Sequence, residues 1–263
     1  MAHVVVVGPG ALGTLFAVRL MRAGHTVTMA CRTSQAARHV QRQGLRLDDD
    51  NGTHRASPPA IHKPRQLEDP ADAVIVATKC QAAEDAVRAW AGETSTPIVG
   101  LQNGLMADVL GRAAAGYVPC TVGFPATWQG TGHAAQTGPG ALHLGRWPQG
   151  PPGGVEEQAA DLLQDVAPVV VSHNMQGVAW SKLLINSVGM VGVLTGQGLG
   201  DLLQHKPAKE AFLRIIEEGH AAGRAEGVVF EKVAGFHPKL LDVVGRVGGR
   251  TGQRALVGLI GRK

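Results

Sequence analysis

A lysine within an apolar stretch is the first residue of this sequence whose type and position suggest chemistry. Lys182 stands in "WSKLLINS", residues 180–187, among leucine and isoleucine side chains that are typical of a buried helix. An ammonium group in apolar surroundings costs on the order of several kcal/mol unless a partner or water compensates it. Lys182 therefore either extends its long side chain to the surface or holds a charge where a reaction needs one.

A glycine-rich turn near the N-terminus is the second chemical signal. Val4–Val7 predict a buried parallel strand, and "GPGALG" follows with GxGxxG spacing. Glycine permits a tight turn at Gly8, close approach of a pyrophosphate at Gly10 and close helix packing at Gly13. Residues 11–23 have helical spacing, and the first N–H groups of such a helix can bind phosphate. We therefore predict that a dinucleotide is bound by Gly8, Pro9, Gly10, Ala11, Leu12 and Gly13.

The end of the second strand, predicted over residues 26–31, indicates which dinucleotide binds. Enzymes that use NAD place Asp or Glu there to bind the ribose 2′-hydroxyl. This sequence has Arg32, Thr33 and Ser34 instead, with no acid nearby. A guanidinium with two hydroxyls complements a 2′-phosphate, so the sequence favours NADP(H). The alternative is that Arg32 is an ordinary surface residue.

Two further predicted strands end in polar residues. "DAVIVATK", residues 72–79, ends in Lys79, and "TPIVGLQNG", residues 96–104, ends near Asn103. Ligands of open α/β sheets bind at the carboxyl ends of the strands. Lys79 and Asn103 are therefore candidate ligand contacts, although an Asn-Gly pair can also be a plain turn.

The rest of the pattern predicts where elements and domains end. "LRLDDDNGTHRA" predicts a hairpin around Asn51-Gly52. Residues 155–166 predict a last helix of the first domain and residues 168–171 a final strand, which places a domain boundary near residue 174. A helix containing Lys182 then opens a second domain, 175–263, which is predicted to be helical.

Composition excludes several classes of protein. With 44% hydrophobic and 17% charged residues, a chain of 263 residues can bury a sizeable core. Its three cysteines form no CxxC pair, which suits a reducing cytoplasm. Its eleven histidines show no metal-ligand spacing, so no metal site is predicted. We also read no signal peptide and no membrane span, and a basic C-terminal run without aromatic residues is not expected to bind nucleic acid.

Five segments occur in the order and approximate spacing of one known family. They are "GPGALG" at the start, "ATKCQAAEDAV" at 77–87, "LQNGL" at 101–105, "GFPATWQGTGHAAQTGPGALHLG" at 123–145 and "WSKLLIN" at 180–186. Over residues 1 to about 240 the sequence resembles the ketopantoate reductases (2-dehydropantoate 2-reductases). The resemblance implies an α/β fold, with a Rossmann-like NADP-binding domain at 1–174, an all-α domain at 175–263 and a cleft between them. It also implies reduction of 2-dehydropantoate to pantoate with NADPH, a step toward pantothenate and coenzyme A.

The resemblance also implies a role for each matching residue. Lys182 would be the proton donor, and Asn186, one helical turn later, would bind substrate. Asn103 would contact both cofactor and substrate, Lys79 would lie near the cofactor, and the backbone of Ala126 would meet the nicotinamide end. A positioned ammonium suits this chemistry, because hydride addition to a ketone leaves an alkoxide that must be stabilised and protonated.

Two departures from the family pattern lead to alternatives. Met190 stands where family members often carry a second asparagine, and no serine or Thr-Glu-Ile-Asp stretch follows residue 240. We therefore expect an incomplete helical domain, in which the helix 207–227 exposes an apolar face at Phe212, Ile215 and Ile216. The alternatives are a reductase of another 2-keto acid or imine, or a catalytically inactive NADPH-binding protein. A homodimer is compatible with the sequence.

Overall fold

The computed structural model describes residues 1–91, 96–196, 201 and 204–235. The chain divides into two compact units, Met1–Met175 and Gln176–Lys263. We describe each unit by itself. Much of the basic C-terminal run noted in the sequence lies outside the described residues: Lys239, Arg246, Arg250, Arg254, Arg262 and Lys263.

The elements follow the alternation of strands and helices expected of an α/β protein. The helices are α1 Ala11–Arg22, α2 Ser34–Gln43, α3 Ala83–Trp90, α4 Ala107–Ala113, α5 Gly154–Leu163, α6 Met175–Thr195 and α7 Lys206–Ala225. The strands are β1 His3–Val7, β2 Thr26–Ala30, β3 Leu45–Asp49, β4 Gly52–Ala56, β5 Ala60–Ile61, β6 Ala73–Val76, β7 Ile98–Gly100, β8 Tyr117–Val122, β9 Ala126–Gly130, β10 His133–Gln136, β11 Leu142–Leu144 and β12 Val169–Val171.

An eight-stranded sheet forms the core of the first unit, in the order β12-β11-β8-β7-β6-β1-β2-β5. Its strands are parallel except where β11 pairs antiparallel with β8. β1 lies between β2 and β6, with Val4 opposite Val27 and Ala73. Val4, Val5 and Val6 are each 0% exposed, because β1 is flanked by strands on both sides and packed on both faces. The valine run therefore predicts this strand correctly.

A second, four-stranded sheet has the order β4-β3-β10-β9. It contains the predicted hairpin, whose strands pair from Leu45 opposite Ala56 to Asp49 opposite Gly52. β10 joins β3 in parallel, with Ala134 opposite Leu47. α1 contacts strands of both sheets, so the helix that follows the glycine turn is packed on two sides.

Several element ends differ from the sequence prediction, and two of the differences concern predicted site residues. The strands predicted over 72–79 and 96–104 end at Val76 and Gly100, and the helix predicted over 155–166 ends at Leu163. The residues after Val76 and Gly100 leave the ladder because they turn into loops ahead of α3 and α4. Lys79 and Asn103 consequently lie in loops at the carboxyl edge of the sheet.

In the second unit, α7 packs closely on α6 through glycines. A Cβ added at Gly219 would lie 2.5 Å from Cδ2 of Leu184, and one added at Gly223 would lie 3.1 Å from Cε3 of Trp180. Phe230 completes this contact with its ring 6.4 Å from that of Trp180, edge to face. Glycine at these points lets the Leu184 and Trp180 side chains of α6 lie close to the backbone of α7.

The exposed apolar surface of this unit is not where the sequence predicted it. Phe212 and Ile216 are 2% and 1% exposed, so the expected open face on α7 is wrong for these two residues, which are buried. The apolar side chains that remain exposed are on the last turns of α6, where Met190 is 61%, Val193 85% and Leu194 84% exposed.

Among the described residues, α6 is also the helix long and apolar enough to cross a membrane by length and composition. Core helices of soluble proteins pass the same test, and α6 carries Lys182 in its interior. The finding is therefore weak evidence for a membrane span.

Candidate active site

The glycine turn between β1 and α1 has the backbone geometry that the sequence predicted. Gly8 has φ +104°, in the left-handed region that favours glycine, and its N–H donates to the carbonyl of Ala30 at 2.8 Å. A Cβ added at Gly13 would overlap the Gly8 carbonyl oxygen. A Cβ added at Gly10 would meet nothing within 4 Å. Gly8 and Gly13 therefore serve the turn and its packing, whereas Gly10 leaves open space beside the backbone.

The first turn of α1 suits a phosphate group. The helix begins without a side-chain cap and without an acidic residue in its first turn. Its first N–H bond within the helix runs from Thr14 to the carbonyl of Gly10, at 2.9 Å. The preceding N–H groups, on Ala11, Leu12 and Gly13, are those that a helix leaves for an external acceptor. Together with the open space at Gly10, they fit the pyrophosphate of a dinucleotide.

Charged side chains hold α1 against the neighbouring hairpin. The Arg19 guanidinium donates to Asp49 at 3.0 Å and to the carbonyl of Val166 at 2.9 Å. His54 contacts the same carboxylate at 2.9 Å, and the Asp49 side chain is 7% exposed. Burial opposes ionisation here, but the hydrogen bonds from Arg19 and His54 keep the pKa of Asp49 below its usual range. The helix that follows the glycine turn is thus anchored by contacts with the Asp49 carboxylate.

Arg32 lies two residues after the end of β2, at the edge where a ribose is expected. Its side chain is exposed, while its neighbour Cys31 is buried and donates its N–H to the carbonyl of Ile61 at 2.8 Å. Thr33 caps α2 by accepting the N–H of Ala36 at 3.2 Å. No acidic residue occurs in the first turn of α2. The local charge available to a ligand is therefore positive.

Lys79 and Asn103 are exposed residues of two loops that are tied together. The side-chain amide of Gln102 donates to the carbonyls of Val76 at 2.9 Å and Thr78 at 3.0 Å. Cys80 Sγ donates to the carbonyl of Asn103 at 3.5 Å. The structure thus brings these two predicted residues onto neighbouring loops that are hydrogen-bonded to each other at one edge of the sheet.

Ala126 begins β9 in the second sheet and pairs with Gln136 on β10. It is half-buried. The link between this sheet and the glycine turn is direct, because the N–H of Gly132 donates to the carbonyl of Pro9 at 3.3 Å. The strand of Ala126 and the phosphate-facing turn are therefore parts of one packed region.

Lys182 and Asn186 lie on α6 in the second unit, one turn apart and both half-buried. Between residues 180 and 191, the buried residues of α6 are Ser181, Leu184, Ser187 and Val191. At about 100° per residue, Lys182 and Asn186 lie on the opposite side of the helix from these buried residues. They are therefore not core residues of the helix pair.

The backbone that carries Lys182 is held firmly. Ser181 is 0% exposed and its hydroxyl accepts the N–H of Glu231 at 3.1 Å. Leu184, two residues after Lys182, packs against Gly219 of α7. Met190, where a further asparagine was expected, is 61% exposed. This side of α6 thus presents one ammonium and one amide, followed by an apolar side chain.

Some polar residues that the structure points to were not among the sequence-predicted site residues. In the described residues, four buried side-chain oxygens have no hydrogen-bond partner: Thr14 Oγ1, Thr78 Oγ1, Gln102 Oε1 and Gln136 Oε1. Each lies beside a predicted cofactor residue. Thr14 follows Gly13, and Thr78 precedes Lys79. Gln102 precedes Asn103, and Gln136 pairs with Ala126. Native proteins leave few such groups, so their concentration here marks this edge as unusual. The sequence signal for Gln102 was its place in "LQNGL".

Comparison with known families decides the class of this protein. A family model described as ketopantoate reductase PanE/ApbA matches residues 4–149, and the model of the C-terminal part of that family matches residues 174–254. The chain belongs to the ketopantoate reductase family. It is therefore an enzyme of an oxidoreductase family, and the resemblance of its motifs is confirmed.

Relatives and solved structures agree with this assignment. The chain is 30% identical over 239 residues to a 2-dehydropantoate 2-reductase of Halobacterium salinarum, covering 86% of this chain and 76% of the relative. It is also 30% identical over 232 residues to a 2-dehydropantoate 2-reductase of Mycobacterium tuberculosis, covering 85% of this chain and 74% of the relative.

Solved structures show the same fold. A PanE/ApbA family ketopantoate reductase from Ralstonia eutropha JMP134 superposes with a TM-score of 0.77 at 24% identity, covering 95% of this chain and 84% of that one. A 2-dehydropantoate 2-reductase from Methylococcus capsulatus superposes with a TM-score of 0.72 at 21% identity, covering 88% of this chain and 76% of that one. The predicted α/β class, with a Rossmann-like sheet and a helical C-terminal region, is confirmed.

Proposed function

We propose that this ketopantoate reductase family member reduces 2-dehydropantoate to (R)-pantoate with NADPH, a step of pantothenate and coenzyme A biosynthesis. The observation that carries the proposal is the glycine turn, which is open at Gly10 and faces the uncapped start of α1. The choice of substrate is supported by the names of relatives that are 30% identical over most of the chain.

The preference for NADPH over NADH rests on Arg32. This exposed guanidinium lies two residues after the end of β2, and neither the adjoining residues nor the first turn of α2 contains an acid. A 2′-phosphate would meet a positive charge and the start of a helix there, both of which favour an anion. An unphosphorylated ribose would find no carboxylate to accept its 2′-hydroxyl.

When bound, the reduced nicotinamide supplies a hydride to the keto carbon of the substrate. Lys182 then donates a proton from Nζ to the alkoxide oxygen that this addition creates, and it regains a proton from solvent. Its positive charge also stabilises the developing negative charge before the transfer. General acid catalysis of this kind contributes roughly 10²- to 10⁴-fold.

The remaining residues bind and orient. Asn186, one turn from Lys182 on the same side of α6, hydrogen-bonds the substrate. Asn103 binds both cofactor and substrate, Lys79 lies near the cofactor, and the backbone of Ala126 binds at the nicotinamide end. The three cysteines form no disulfide, and we propose that the enzyme works in the reducing cytoplasm.

The proposal is tested with the purified chain, NADPH and 2-dehydropantoate. We expect NADPH oxidation with pantoate as the product, and weaker activity with NADH. Oxidation only with another 2-keto acid or an imine would replace the substrate, an outcome that the apolar Met190 on α6 makes worth testing. NADPH binding without turnover of any of these substrates would instead identify an inactive binding protein.

A further inference from the structure

The carboxyl ends of β6 and β7 are joined by one side chain. Gln102 Nε2 donates to the carbonyl of Val76, the last residue of β6, at 2.9 Å, and to that of Thr78 at 3.0 Å. The Val76 carbonyl also accepts the N–H of Leu101 at 3.1 Å. A single amide group therefore spans the point where the chain leaves one strand and the point where it leaves the next.

The chemistry of the amide determines what Gln102 can do. The NH₂ group must face the two carbonyls, because the opposite orientation would place Oε1 against two other acceptor oxygens. Oε1 is itself buried and without a partner among the described residues. Both donors of Gln102 are thus committed to the backbone, and its acceptor lies away from solvent. The side chain is a brace between loops, not a ligand contact.

The brace lies next to three parts of the proposed cofactor site. Gln102 precedes Asn103, and Thr78, whose carbonyl it holds, precedes Lys79. Thr78 also touches the glycine turn, since a Cβ added at Gly8 would be 3.4 Å from its Cγ2. Movement of the Thr78 backbone would therefore displace Lys79 and the start of the glycine turn at Gly8.

We propose that Gln102 is a positioning residue that holds Lys79 and Asn103 in place for the cofactor. This inference rests on the proposed function for the identity of the cofactor. It does not depend on the identity of the keto acid. The Cys80 Sγ contact with the Asn103 carbonyl is longer, at 3.5 Å, and a thiol is a weak donor, so the Gln102 amide is the stronger of these two side-chain links between the loops.

The test variant is Gln102→Met, which keeps the length of the side chain and removes both donors. We expect its dissociation constant for NADPH to rise about tenfold, as two lost hydrogen bonds near the site allow. The matched control is Gln66→Met. Gln66 also bridges two backbone groups, accepting the N–H groups of His62 and Lys63 at 3.0 Å each, but no predicted site residue adjoins it, so NADPH binding should not change.

A second readout is the rate at which iodoacetamide alkylates Cys80 in the folded protein. Cys31 and Cys120 are 5% and 2% exposed, and burial raises their pKa values to about 11 and about 12, so neither competes at neutral pH. We expect Gln102→Met to accelerate alkylation of Cys80 several-fold, because the loop that holds its sulfur near Asn103 loses its brace. Gln66→Met should react at the wild-type rate.

These measurements separate the possible failures. If the wild-type chain binds no NADPH, the proposed cofactor is wrong, but the alkylation rates still decide whether Gln102 braces the loops. If Gln102→Met melts at a lower temperature yet keeps wild-type NADPH affinity and Cys80 reactivity, Gln102 supports only the fold and the proposal is overturned. If Gln102→Met does not fold, Gln102→Asn, whose amide is one methylene shorter, is measured in the same way with the same expected direction.

Discussion

The two units of this enzyme present their predicted functional residues in different ways. In the first unit, the site is built from backbone: the Gly8–Gly13 turn, the start of α1, and loops that leave adjacent parallel strands. In the second unit, the predicted site consists of two side chains, Lys182 and Asn186, on the side of α6 opposite the buried residues Ser181, Leu184, Ser187 and Val191. The position of a backbone site follows from the glycines that its turn requires. The position of a side-chain site depends on which side of the helix the neighbouring elements cover. The predictions below test that difference.

The largest effect is expected from the side-chain site. Lys182→Ala should lower the turnover number about 10³-fold, because the alkoxide loses its proton donor and its stabilising charge. The dissociation constant for NADPH should stay unchanged, since the glycine turn lies in the other unit. Steady-state kinetics and fluorescence titration measure the two quantities.

The matched control for this prediction is Lys232→Ala, which removes an exposed lysine of the same unit. It should leave turnover unchanged. A Lys182→Ala enzyme with wild-type turnover would show that Lys182 is a surface lysine, and the reaction would need a different proton donor.

The second prediction distinguishes two glycines of the backbone site. Gly10→Ala should bind NADPH about 30-fold more weakly, from about 2 kcal/mol of crowding at the phosphate, without losing thermal stability, because a Cβ there meets no protein atom. Gly13→Ala should lose stability as well, because its Cβ overlaps the Gly8 carbonyl. Melting temperature and NADPH titration check both variants. Equal losses of stability in the two variants would refute the assignment of Gly10 to the ligand.

The smallest effect concerns the choice of cofactor. Arg32→Ala should reduce the ratio of kcat/KM for NADPH over NADH about tenfold, as expected for losing a charge-assisted contact to phosphate. Arg38→Ala, which removes another exposed arginine of the same region, is the control and should keep the ratio. A ratio unaffected by Arg32→Ala would assign Arg32 to the ordinary surface.

Much of the first unit could be predicted from local sequence. The valine run of β1, the glycine turn and the hairpin at Asn51-Gly52 each depend on residues close in the chain, and the structure contains all three. Lys79 and Asn103 were predicted to meet at one edge of the sheet, because parallel strands end on the same side. Their loops do lie side by side, although both strands end earlier than the apolar runs indicated.

Other features depend on contacts between residues far apart in the chain. The pairing of β10 with β3 joins Ala134 to Leu47, and no local pattern specifies a parallel partner at that separation. The same holds for the second unit, where Phe212 and Ile216 of α7 are buried. The apolar period of α7 correctly indicates a face to be buried, but only packing decides whether that face is covered.

The sequence by itself therefore indicated the nucleotide-binding turn, since glycine spacing follows from short-range stereochemistry, and its five family motifs indicated the reaction class and the proposed role of Lys182. Only the tertiary structure decided that Gln102 faces two carbonyls and that Lys182 lies opposite the buried residues Ser181, Leu184, Ser187 and Val191 of its helix. The physical reason is that hydrogen-bond partners and burial are properties of neighbours in space, which chain order alone does not define.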